Sequence, residues 1–283
     1  MQIQKTIKQE VAFEGIGLHS GLDCIVKLHP APTDHGIVFS KNDILIPVNI
    51  INIIDTSYAT TIGSNGVTIQ TVEHLLAALF AFNINNILIE VDGSEIPILD
   101  GSSLGYIEIL ARAGIVEQGL PMPYLKIIKP LTYSFNGCSV SAEPYDTFRI
   151  SFRINFEDRF IGKQRLSIDI SKDSFIREIA PSRTFGFIKE IDYLKSMGLA
   201  NGASTDNALV FGDTGVLNKT GLRFPDECVR HKILDMIGDL SFISMPIRGH
   251  IIADKSGHSI NIQFIKELLK NSDCWEIILK DRI

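Results

Sequence analysis

The clearest periodic stretch of the chain is residues 224–240, F-P-D-E-C-V-R-H-K-I-L-D-M-I-G-D-L. Its apolar residues Ile233, Met236, Ile237 and Leu240 recur at i, i+3, i+4 and i+7, which predicts a helix with one buried face. Pro225 opens it, and Asp226 and Glu227 follow where the positive end of the helix dipole lies. At about 100° per residue, His231, Asp235 and Asp239 form a column on the opposite face. Such a column is ordinarily a solvated polar face. It is also the spacing at which a histidine and a carboxylate one turn apart share a divalent metal ion. The helix alone leaves both readings open.

Elsewhere the pattern changes to short β-type runs. Within residues 1–60, stretches at 11–13, 23–28 and 37–39 alternate or run apolar between Gly15, Gly17, Gly21, Pro30 and Pro32. Residues 14–21, E-G-I-G-L-H-S-G, do not have the spacing of a dinucleotide fingerprint and predict a tight hairpin with His19 at its tip. A brief strand at 67–70 leads into T-V-E-H-L-L-A-A-L-F-A-F, residues 71–82, a helix with Thr71 as N-cap. After His74 that helix is apolar on every side, so it must be covered all round. One side can rest on a sheet; its alanines would let a second helix approach the other.

A strand at 86–91 and a helix at 100–113 follow, then residues 114–124, whose two glycines and two prolines mark the best linker. It divides the chain into domains of 1–120 and 121–283. Beyond it, strands are expected at 125–128, 139–143, 148–156, 209–211 and 249–253, and helices at 173–178, 190–197 and 259–269. The halves echo each other: V-E-H-L-L-A-A-L precedes the strand N-I-L-I-E-V, and V-R-H-K-I-L-D-M precedes R-G-H-I-I-A. The fold class expected is α+β, two similar units of sheet and helix. If the two histidine-bearing helices face each other, the apolar one gains its cover, and His231 and Asp235 meet His74.

Composition fits this picture. A chain of 283 residues, 45% hydrophobic and 21% charged, can bury the cores of two domains. A net charge of −6 without a lysine or arginine cluster argues against a nucleic-acid surface or an electrostatic lipid anchor. Residues 1–11 lack the apolar region of a secretory signal, and the most apolar run, 44–54, is broken by Pro47, Asn49 and Asn52 and is too short to span a bilayer. The four cysteines, Cys24, Cys138, Cys228 and Cys274, form no C-x-x-C and suit a reducing compartment, so a cytoplasmic protein is expected.

Facing helices would assemble His74, His231 and Asp235 into the nitrogen, nitrogen, oxygen set of a catalytic zinc, whose fourth position holds a water with its pKa lowered towards ~7. Glu73 lies about 100° round the helix from His74 and can take that water's proton instead of binding metal. The plainer readings are a hydrogen-bonded buried histidine for His74, a helix N-terminal acid for Glu73, and solvated acids for Asp235 and Asp239. In A-D-K-S-G-H, residues 253–258, a loop at the end of a strand can return Lys255 and His258 to the site. His258 would be a general acid if a carboxylate, Asp239 being the nearest, stabilised its imidazolium. P-S-R-T-F-G-F, residues 181–187, is either a strand edge or the source of a hydroxyl, Thr184, for a developing oxyanion.

Together, G-I-G-L-H-S-G, T-V-E-H-L, E-I-P-I-L-D-G-S, S-R-T-F-G-F, G-L-R-F-P-D-E-C-V-R-H-K-I-L-D-M-I-G-D-L and K-S-G-H occur in the order of the UDP-3-O-acyl-N-acetylglucosamine deacetylase family, which the chain resembles from about residue 11 to residue 275. That family contains the zinc enzymes committing bacteria to lipid A synthesis. The resemblance implies that His74, His231 and Asp235 bind zinc and that Glu73 is the general base. It further implies that His258 is the general acid oriented by Asp239, and that Thr184 polarises the scissile amide. Lys232 and Lys255 fall on substrate-contacting positions, Phe185 and Phe187 on positions that pack against substrate, and His19, Ile191 and Ala203 complete the expected substrate set. The implied fold packs two similar domains with their helices between the sheets; each carries a small insert, the second forming an apolar passage for the acyl chain. Ala203 stands where many relatives have glycine, so its methyl is expected to shift acyl-length preference.

The expected partner is a UDP-linked acylated amino sugar, with transient membrane-surface contact and a monomeric state. Iron(II) fits the same ligands as zinc. Two other functions remain at this point: a zinc amidase for another acetylated amino sugar, and a nucleotide-sugar or lipid-binding module with a structural metal. A structural zinc would more often be closed by four ligands, commonly with cysteine, and no cysteines are grouped for that.

Overall fold

In a computed structural model that describes residues 2–279, strands with one apolar face build two main sheets and several short ones, accompanied by helices, an α+β fold. The strand Asp23–Pro30 shows why: Cys24, Val26 and Leu28 point inward and alternate with more exposed residues, so one sheet face is a core face. Its sheet has the order Val11–Ile16, Asp23–Pro30, Ile87–Asp92, Ile37–Lys41, Ile44–Pro47. The pairing is antiparallel except where Ile37–Lys41 runs parallel to Ile87–Asp92. In the second sheet Ile247–Asp254 is central: antiparallel to Cys138–Glu143, parallel to Phe148–Asn155 and, at its start, parallel to Tyr124–Ile127. Leu131–Phe135, Lys163–Asp169 and Trp275–Ile278 extend it.

The helices are α1 (Glu73–Ala81), α2 (Leu104–Ala113), a single turn α3 (Lys172–Ser174) that continues as a π-helical turn over Phe175–Ile179, α4 (Ile191–Ser196), α5 (Glu227–Leu240) and α6 (His258–Lys270). All of α1 is buried except Phe80. Its cover is α5: a Cβ on Gly238 would lie 2.2 Å from the Glu73 carbonyl oxygen, so the two backbones touch. One continuous set of buried apolar residues runs from Val26, Phe39 and Ile89 through these helices to Phe152 and Ile251.

Three local expectations are corrected. Residues 114–124 are not an unstructured link; Ile115–Pro121 is a strand antiparallel to Ile3–Ile7. Gly114, at φ +67°, turns the chain out of α2 into this strand. Thr71 is not an N-cap: it has φ +59°, and its hydroxyl donates to the buried Glu95 carboxylate at 2.8 Å. The helix expected from residue 100 starts at Leu104, because Asp100 instead accepts bonds from the Ser102 N–H and hydroxyl in a turn.

Candidate active site

The contact between α1 and α5 brings His74, the second residue of α1, against His231 and Asp235, one turn apart on α5. The column is turned inward; His231 and Asp235 are each 2% exposed and Asp239 is 0%. Asp235 Oδ1 lies 3.2 Å from His231 Nε2 and 3.5 Å from His74 Nε2. One ligand atom from each of the three residues falls within 4.8 Å of the others. His231 Nδ1 donates to the Ser182 carbonyl at 3.1 Å, which fixes the proton on that nitrogen and leaves the Nε2 lone pair facing Asp235.

His74 Nδ1 and Asp235 Oδ1 are buried without a hydrogen-bond partner. An orphaned carboxylate oxygen between two imidazoles is costly, and a divalent cation would remove that cost. The donor set therefore fits a metal. Burial pushes the His231 pKa down to about 3, so its ring is neutral and able to donate a lone pair. Burial alone would raise the Asp235 carboxyl, but His231, Lys232 and His74 outweigh it and hold it well below the usual carboxylate range. Lys232 Nζ reaches Asp235 Oδ2 at 2.5 Å.

Beside the triad lie a carboxyl and an imidazole whose pKa values are both raised, for different reasons. Glu73 is 2% exposed and burial raises its pKa, while Oε2 accepts the Thr60 N–H at 3.1 Å. His258, the first residue of α6, places Nε2 3.6 Å from Glu73 Oε1 and Nδ1 2.9 Å from Asp239 Oδ2. Burial would lower the His258 pKa, but Asp239 and then Glu73 dominate and raise it to about 9. Near neutral pH His258 is an imidazolium whose Nε2 faces Glu73 Oε1 on one side of the triad.

The cluster lines a cavity of about 420 Å³ that also includes Thr184, Phe185 and Phe187. A second, more apolar cavity of about 440 Å³ shares those three residues and runs on past Ile191, Ala203 and Leu209. Thr184 is fixed through its backbone, its N–H donating to the Gly101 carbonyl at 2.8 Å and its carbonyl accepting the Leu209 N–H at 2.7 Å. His19 lines both cavities and is 7% exposed, not at an open hairpin tip. The Glu95 carboxylate accepts its N–H, its carbonyl accepts the Asn201 N–H at 3.0 Å, and burial lowers its pKa. Lys255 is the exception among the expected residues. It is exposed, lines neither cavity, and its Nζ would lie 3.8 Å from a Cβ on Gly137.

Several participants carried no recognisable spacing in the sequence. Thr60 is 0% exposed and contacts Glu73, Asp239 and His258. Asn261 donates to Asp239 at 2.8 Å; lying three residues after His258, its place on the same helix face was the one available signal. Arg183 and Glu227 form a buried ion pair at 2.8 Å that anchors the segment carrying Ser182 and Thr184 to the start of α5.

Three candidate metal donors stand next to a carboxyl and an imidazolium, a set able to activate water and protonate a leaving group. The family model for LpxC, UDP-3-O-acyl N-acetylglycosamine deacetylase, matches residues 4–270, and the chain belongs to that family. It is 47% identical over 279 residues to the UDP-3-O-acyl-N-acetylglucosamine deacetylase of Thermodesulfovibrio yellowstonii, covering 98% of this chain and 95% of that one. Proteins of the same name from Nitratidesulfovibrio vulgaris and Syntrophotalea carbinolica are 46% and 44% identical, covering 96% and 98% of this chain and 89% and 91% of theirs. Among the described residues no helix is long and apolar enough to cross a membrane.

Proposed function

We propose that the chain hydrolyses the 2-acetamido group of a UDP-3-O-(3-hydroxyacyl)-N-acetylglucosamine and releases acetate, the committed step of lipid A biosynthesis. The observation that carries this reading is the pairing of Glu73 and His258, 3.6 Å apart, beside the donors His74, His231 and Asp235 and at the head of an apolar cavity. A divalent ion held by those three residues, zinc or iron(II), would supply Lewis acidity and make water nucleophilic at neutral pH.

The remaining steps belong to side chains. Glu73 takes a proton from the attacking water as the new carbon–oxygen bond forms. The Thr184 hydroxyl donates to the oxygen of the amide carbonyl as it gains charge. His258 gives its Nε2 proton to the nitrogen as the carbon–nitrogen bond breaks, and Asp239, bonded to Nδ1, keeps the ring charged and oriented until then. Phe185, Phe187, Ile191 and Ala203 form a passage suited to the acyl chain, with His19 at its junction with the reacting centre. Lys232 lines the cavity at the metal donors, and Lys255 would contact substrate from outside the present lining of either cavity.

On the same reading residues 1–120 form one unit, supplying Glu73 and His74, and residues 121–283 a second, supplying the rest. The enzyme is a cytoplasmic monomer that meets the membrane surface only transiently. An N-acetylated amino sugar without an acyl chain would leave the apolar cavity unfilled, which favours the acylated substrate. The test is acetate release from the UDP-linked acylated sugar by metal-loaded protein, with and without a chelator. Release that the chelator abolishes is expected; no release from metal-loaded protein would refute the assignment.

A further inference from the structure

The atoms of Thr60 touch the general base, the general acid and the carboxylate behind the acid. Its backbone N–H donates to Glu73 Oε2 at 3.1 Å. Its hydroxyl donates to Asp239 Oδ1 at 2.7 Å, and Oγ1 lies 3.2 Å from His258 Nδ1. Because the hydroxyl proton is committed to Asp239, the lone pairs of Oγ1 are free to share the His258 Nδ1–H with the carboxylate. Asp239 is enclosed at 0% exposure, and its remaining donor is Asn261, whose amide is oriented by the Ser256 hydroxyl at 2.7 Å.

The backbone around Thr60 is tied into its surroundings. Its carbonyl accepts the N–H of Val72, the residue before α1, at 3.3 Å. Next to it begins the strand Thr61–Ser64, paired on both sides by Ile53–Asp55 and Val67–Ile69. Threonine also suits the position physically, since branching at Cβ restricts χ1 and so fixes where the hydroxyl points. A serine could make the same bonds with a freer rotor; a valine keeps the shape and backbone N–H but removes the hydroxyl.

We propose that Thr60 is a positioning residue that holds the general base and the general acid in register, clamping Glu73 through its backbone and the Asp239–His258 pair through its hydroxyl. Glu73 Oε2 is occupied by Thr60 and Oε1 is left facing His258 Nε2 at 3.6 Å; the His258 ring is turned to present Nε2 because Nδ1 is held by Asp239 and Thr60. The two proton-transferring atoms are thus placed relative to each other by one residue that lies outside the cavity lining and has no exposed surface. This inference rests on the proposed amide hydrolysis, in which Glu73 and His258 act at opposite ends of the same bond exchange.

The test uses metal-loaded protein carrying Thr60→Val and Thr60→Ser. In Thr60→Val, kcat falls about 10- to 100-fold, as for other outer supports of a site, while KM for the acylated UDP-sugar is unchanged. Thr60→Ser recovers most of the loss. A second readout does not depend on turnover. In protein labelled with ¹⁵N-histidine, the low-field Nδ1 proton of His258 moves in the valine variant and returns in the serine variant. If valine does not fold, Thr60→Ala is read in the same way. Native kcat with an unmoved Nδ1 resonance in the variant lacking the hydroxyl would overturn the proposal. So would a loss of rate that merely tracks the unfolded fraction. Absence of turnover in the unsubstituted protein would instead sink the hydrolase reading, leaving the resonance to decide whether Thr60 holds His258.

Discussion

Gly238 tests whether the backbone contact between α1 and α5 builds the site. A Cβ at this position would lie 2.2 Å from the Glu73 carbonyl oxygen, 2.8 Å from its carbonyl carbon and 2.9 Å from its Cα. All three are backbone atoms, so no rotamer change relieves the overlap, and the helices must separate by about 1 Å to recover ordinary contact. Replacing a helical glycine by alanine would otherwise stabilise by roughly 1 kcal/mol. Overpacking costs about 1–3 kcal/mol or more, so the sign expected for Gly238→Ala is destabilisation, with Tm lower by several degrees. The functional effect should be larger than the thermal one. Separation carries Glu73 and His74 away from His231 and Asp235, and a misplacement of about 1 Å can cost on the order of 100-fold in rate. Circular-dichroism melts, metal content and acetate release on the same preparation measure the three consequences. A Gly238→Ala protein with native Tm and native turnover would refute the claim that this contact sets the site.

Glu73→Ala should retain metal while kcat falls about 10²- to 10⁴-fold, whereas His231→Ala should lose the metal; loss of metal from both would show that their roles are wrongly divided. The acid form of His258 is complete at low pH and is lost as pH rises through about 9, while the base form of Glu73 is lost as pH falls through a value above its usual 4.5. kcat/KM should therefore be bell-shaped, and Asp239→Asn, which removes the strongest partner raising His258, should move the alkaline limb to lower pH; an unmoved limb would count against that pairing. Ala203 lines the apolar cavity, so Ala203→Gly should shift the acyl-length profile towards longer chains, and identical profiles would dismiss the methyl as a determinant.

What the sequence made legible was whatever depends on neighbours one turn away. The apolar face Ile233, Met236, Ile237 and Leu240 is wholly buried, and the all-apolar helix is covered by a second helix, as a 3.6-residue period requires. The expectations that failed depend on distant partners. Residues 115–121 form a strand because Ile3–Ile7 lies beside them, and a local pattern rich in glycine and proline cannot announce that edge. Thr71 leaves the helix-capping conformation because Glu95, buried at 1% exposure, needs its hydroxyl. His19 is enclosed because residues 200–202 dock on its loop from the other half of the chain. Thr60 had no periodicity to reveal it, since its partners come from α1, α5 and α6.

Asp235 and Asp239 show where the boundary falls. They are the same residue type, one turn apart on one face of one helix, and spacing alone treats them alike. The expectation that Asp235 serves the metal and Asp239 serves His258 comes from which partners could reach each and from the family resemblance. The structure separates them by what surrounds each. Asp235 Oδ1 is left without a hydrogen bond between two imidazoles, open to a cation. Both oxygens of Asp239 are filled, by Thr60, Asn261 and His258, so it has no vacancy for a metal and every means to hold an imidazolium. A carboxylate's task is decided by the donors that reach it, and here every donor to Asp239 comes from a different element than the helix that carries it. The periodicity of α5 can therefore place the column, and the tertiary contacts of Thr60 and α6 give the physical reason why it divides into ligand and support.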